Sequence, residues 1–70
     1  MNKEIETNLL ELKALLVSHD WFYMMSDDQR YYDSGKASYD LIWKLMDKLK
    51  DDGYFVEAEN LYDTYKREMI

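Results

Sequence analysis

Seventy residues carrying nine Lys and Arg against fifteen Asp and Glu have a net charge of −6, which disfavours direct binding to nucleic acid or to anionic membrane surfaces. With no cysteine, disulfides and thiolate zinc sites are excluded, and a reducing, cytoplasmic setting is expected. A domain this small buries only about 60% of its unfolded surface, so its seven Tyr, two Trp and two Phe, or self-association, must supply what staples supply elsewhere.

The chain has no proline and only two glycines, which favours helix over a turn-rich β fold. No apolar run approaches the roughly 20 residues of a membrane span. The opening "MNKEIETNLLELK" interleaves acids with its apolar residues, unlike a signal peptide. A first helix is expected over about residues 3–18, because Ile5, Leu9, Leu12 and Leu16 follow +4, +3, +4 steps. Leu10, Leu15 and Val17 widen that stripe.

Ser26-Asp27-Asp28-Gln29 reads as a capping box opening a second helix over about residues 27–51. Asp27 and Asp28 would then complement the helix dipole. Tyr31 or Tyr32, Gly35, Tyr39, Ile42, Met46 and Leu49 continue one face. Gly35 within a helix costs about 1 kcal/mol relative to alanine, and close approach of a bulky neighbour such as Trp21 would offset that. The competing expectation is a break at "DSG", giving four shorter helices.

Gly53 suits the left-handed position after a helix. A third helix over about residues 54–69 places Tyr54, Ala58, Leu61 and Tyr65 on one stripe, flanked by Phe55, Tyr62 and Met69. The short turn makes helices two and three an antiparallel hairpin. With helix one, the expectation is an all-α, three-helix antiparallel bundle, one domain over residues 1–70.

Several chemical readings fail on spacing. Ser18-His19-Asp20 holds the residue types of a hydrolase triad, but adjacent residues do not converge on one reacting atom. His19 with Asp20, Asp27 and Asp28 lacks paired-ligand spacing for a metal. An EF-hand alignment on Gly53 puts Lys48 and Lys50 at oxygen-ligand positions. No phosphate loop or dinucleotide fingerprint occurs. No cofactor and no catalytic residue is therefore expected. Asp33, Asp40 and Asp47 recur every seventh residue, about 10.5 Å apart on a helix, wider than the roughly 3.4 Å phosphate step. Lys36, Lys44 and Lys48 interleave, with Asp40 and Lys44 at a favourable i,i+4 spacing. A DNA mimic would need acids from several helices to combine in space.

One patch remains. Trp21-Phe22-Tyr23-Met24-Met25 cannot all face inward from one turn, so Trp21 is expected inside and its neighbours outside. Exposed aromatics and methionines near Arg30 have the composition of protein interfaces. Residues 19–35, "HDWFYMMSDDQRYYDSG", also resemble a pattern found in small uncharacterised proteins of tailed bacteriophages. The resemblance rests on His19, Asp20, Trp21, Tyr23, Ser26, Asp27, Asp28, Arg30, Tyr32 and Gly35, about a quarter of the chain. Tyr32 stands where the pattern has Trp, and Gln29 where His or Tyr is usual. The resemblance implies a phage or prophage origin and transfers no activity.

The expected function is non-enzymatic binding of a host or phage protein through Phe22, Tyr23, Met24, Asp27 and Arg30. Trp21, Ser26, Gln29 and Gly35 are expected to hold the shape. The alternatives are a DNA-mimic inhibitor and a structural homodimer that pairs the same aromatics across a two-fold axis.

Overall fold

The computed structural model describes residues 2–66. The expected all-α bundle is present, with three helices in mutual contact. Helix α1 (Lys3–Ser18) is capped by Asn2, whose side chain accepts from the Glu4 N–H at 2.6 Å. Glu4 and Glu6 occupy its first turn, where the helix dipole favours negative charge. Its inward line is Ile5, Asn8, Leu12 and Leu16. Leu9 and Leu15 are half-buried, whereas Leu10 and Val17 point outward at 68% and 47% exposure. Leu10 lies two residues, about 200°, from Leu12 on the helix, so it cannot share the buried face.

Helix α2 (Gln29–Asp51) runs unbroken through Gly35, which settles the three-helix count over the four-helix expectation. It starts two residues later than expected. Asp28, not Ser26, is the cap, accepting from the Arg30 N–H at 2.9 Å. Ser26 Oγ instead accepts from the Asp28 N–H at 3.0 Å, and Gln29 donates to Asp33 at 2.8 Å. The capping box therefore does not form. Three adjacent capping-type residues compete here, and the one closest to the helix takes the position. Asp27 precedes the helix.

Gly53, at φ +90°, closes α2. The Gly53 N–H donates to the Lys50 carbonyl and the Tyr54 N–H to the Leu49 carbonyl, at 3.0 and 2.8 Å. This is the Schellman pattern. Helix α3 (Phe55–Tyr65) follows, with Ala58 fully buried and Lys66 at its C-cap. It begins one residue later than expected, and residues 67–69 of the expected helix, Met69 included, lie outside the described residues.

Lys48 of α2 reaches Glu4 of α1 at 3.1 Å, while His19, just past α1, bonds Ser38 of α2 at 2.9 Å. The two helices are thus antiparallel. The core joins Leu12 and Leu16 to Ile42, Met46, Leu49 and Ala58, with Trp21 at one end. The first turns of α2 extend beyond α1, and the connection between the helices folds back along them.

Candidate protein-binding corner

The connection from α1 to α2 alternates like a strand. His19, Trp21 and Tyr23 are buried, whereas Asp20, Phe22 and Met24 are exposed. Local hydrogen bonds set this alternation. Asp20 Oδ1 accepts from the Phe22 N–H at 2.9 Å, and a single 3₁₀ turn at Tyr23–Met25 is closed by the Ser26 N–H on the Tyr23 carbonyl at 3.1 Å.

Tyr23 is the main correction to the expected contact set. It is 2% exposed, and its ring packs on Gly35, Tyr32 and Tyr39. A Cβ at position 35 would overlap Cβ and Cγ of Tyr23. The close approach that compensates a mid-helix glycine is therefore made by Tyr23, not by Trp21. Trp21 is buried as expected, edge-on to Tyr62 at 5.8 Å and Tyr39 at 6.3 Å. Trp21 and Tyr23 are both enclosed, which leaves Phe22 as the exposed aromatic of the connection.

Helical periodicity leaves His19 unplaced. Its backbone N–H caps α1 on the Leu15 carbonyl, and its side chain turns inward. Nδ1 bonds Ser38 Oγ at 2.9 Å, and the ring stands edge-on to Trp21 at 4.4 Å and Tyr23 at 5.3 Å. The available signal was the two-residue alternation His19, Trp21, Tyr23. Burial holds the imidazole below its ordinary pKa, with the nearby Asp20 carboxylate partly opposing. Burial likewise raises the Tyr23 phenol, assisted by Tyr32 and Tyr39.

Ser18 Oγ donates back to the Ala14 carbonyl at 2.8 Å, so Ser18 and His19 diverge. Among the described residues no three His, Asp or Glu side chains converge as a metal site would require. On α2, Asp40 pairs with Lys36 at 3.1 Å rather than with Lys44.

What faces outward is an apolar cluster. Phe22, Met24 and Met25 are 44%, 48% and 63% exposed, and Tyr31 on the first turn of α2 is also exposed. Asp27 and Arg30 lie exposed beside them in sequence. Neither side chain makes a hydrogen bond or ion pair among the described residues. The arrangement is a set of exposed apolar groups over a buried aromatic base, with Asp27 and Arg30 unpaired among the described residues.

Fold and corner together define a small acidic three-helix bundle with an aromatic-braced surface cluster. The chain matches no protein-family model, no curated protein and no solved structure.

Proposed function

We propose that this protein acts without catalysis, by binding another protein through Phe22, Met24, Asp27 and Arg30, with Met25 added to the expected set. The observation that carries the reading is the alternation of the corner. Burying His19, Trp21 and Tyr23 forces Phe22 and Met24 into solvent, and several large apolar residues exposed side by side are a feature of interaction sites. Methionines adapt to irregular partner surfaces, and aromatic and arginine residues are the usual energetic anchors of interfaces. The phage-type pattern in residues 19–35 supports a role as a phage or prophage accessory factor that engages or inhibits a host protein in the bacterial cytoplasm.

The test is capture of partners from bacterial lysate with the tagged protein, at low and moderate salt, identified by mass spectrometry. One dominant partner that survives moderate salt and is lost with Phe22→Ala plus Met24→Ala is the expected result. Retention of that partner by the double variant would overturn the assignment. A set of DNA-binding proteins that all dissociate as salt rises would favour the DNA-mimic reading instead.

A further inference from the structure

Away from the corner, α1 and α3 leave an open groove of about 450 Å³, lined by Glu6, Leu9, Leu10 and Lys13 of α1 and by Glu57 and Leu61 of α3. Leu10 is 68% exposed, far more than the half-buried Leu9 and Leu61 beside it. An apolar strip of this kind on a chain with so small a core calls for a cover.

The charges around the groove indicate which cover fits. Both helices run the same way along it, since Glu6 and Glu57 sit in their first turns and Lys13 lies over the Tyr65 ring at 5.3 Å. One end of the groove is therefore doubly acidic, the middle is leucine, and the other end is basic. Glu6 and Lys13 stand symmetrically about Leu9 and Leu10, roughly 10.5 Å apart along α1. Such an edge is complementary to itself after a half-turn. Antiparallel apposition of two α1 helices sets Lys13 of each copy against Glu6 and Glu57 of the other, with Leu10 on Leu10 at the axis. Parallel apposition would oppose like charges at both ends.

The geometry points to a two-fold homodimer in which a second copy of this chain covers the α1–α3 groove, with α1 crossing α1 antiparallel at Leu10. A self-complementary patch of this type is what a closed two-fold interface requires. None of the corner residues lines the groove, so each dimer would display two corners.

Sedimentation equilibrium on the intact chain tests this. The mass should climb from 8.5 kDa toward twice that value as concentration rises through the micromolar range. Leu10→Glu removes no buried contact and should weaken dimerisation at least about tenfold, as should Lys13→Glu and Glu6→Lys singly. The decisive arm mixes the last two variants. Lys13→Glu makes one groove edge acidic throughout, and Glu6→Lys makes its counterpart basic at both ends of α1. The mixture should therefore recover dimer that neither variant forms alone. The chain remaining at monomer mass up to about 1 mM, Leu10→Glu dimerising as tightly as the unaltered protein, or a mixture without recovery would each overturn the proposal. Circular dichroism on every variant separates loss of contact from loss of fold.

Discussion

The two ends of this molecule are built on different rules. Along the bundle, Leu12, Leu16, Ile42 and Leu49 are fully buried aliphatic residues, each placed by the helical period. At the corner the interior is aromatic, with His19, Trp21 and Tyr23, placed by a period of two, meeting Tyr39 of α2 in edge-to-face and tilted contacts. The aliphatic end gains from close packing of groups that mostly need no partners, with Asn8 Nδ2 the one buried polar side-chain atom of the bundle that lacks a partner among the described residues. The aromatic end encloses two such atoms, His19 Nε2 and Trp21 Nε1. A buried polar group left unpaired costs about 1–3 kcal/mol. The corner thus gives back part of what its rings contribute, and it holds the residues proposed to bind.

If both ends belong to one cooperative unit, deleting a large side chain from either should be severe. Trp21→Ala and Leu49→Ala should each cost about 3–5 kcal/mol, a large share of the stability of so small a domain. Urea denaturation followed by far-ultraviolet circular dichroism measures both. Equal loss of cooperativity would show that corner and bundle melt together. Survival of a helical two-state transition in Trp21→Ala alone would show that the corner is a separable cap.

Gly35 sharpens the comparison, because it is where the corner touches α2. Gly35→Ala removes a helix-propensity cost of about 1 kcal/mol but drives a methyl into Tyr23, at up to about 3 kcal/mol of overpacking. A net loss near 2 kcal/mol is expected. In a Tyr23→Gly background, which removes Cβ and ring alike, the obstruction is gone, so the same change should stabilise by about 1 kcal/mol. A double-mutant cycle that showed no such reversal of sign would mean that Tyr23 does not occupy the space above Gly35.

These two regions were not equally legible in the sequence. The bundle was, because i+3 and i+4 steps over sixteen and twenty-three residues leave little freedom, and because Gly53 at a helix end has one common use. Trp21 could be placed inside from size alone. Tyr23 and His19 could not, since helical periodicity does not operate in a connection. Their depth depends on the Asp20 side chain turning the backbone and on the missing Cβ of Gly35. The cap of α2 was ambiguous for a different reason: Ser26, Asp27 and Asp28 can all cap, and packing of the corner selects among them. Leu10 and Val17 were misplaced because a leucine-rich helix hides which of its apolar residues lies off the main line.

His19 distinguishes the two ends by pH. Its pKa is lowered in the folded state from the ordinary 6.5, so between the folded and unfolded values the unfolded chain binds more protons. Stability then rises with pH across that window. The contribution is complete above pH 6.5 and declines as pH falls through the folded value. Melting temperature should drop as pH falls from 7 toward 5, about the range in which histidine titrates, and His19→Phe should flatten that slope. An unchanged slope in the variant would assign the pH response to carboxylates elsewhere.

The smallest stability effect is expected at the residues proposed to bind. Phe22 and Met24 are nearly half exposed, and surface changes of this kind usually stay within about 0.5 kcal/mol. Phe22→Ala plus Met24→Ala should therefore leave the melting curve nearly unchanged while abolishing partner capture. Tyr23→Ala, one residue from each, should do the opposite kind of damage, lowering stability by about 3 kcal/mol or more, as truncation of a buried aromatic does. The opposition matters because it separates recognition from support within three consecutive positions. If truncating Phe22 and Met24 destabilised the protein as much as truncating Tyr23, the outward residues would be part of the corner's packing. The alternation would then be a property of the fold, with no bearing on binding.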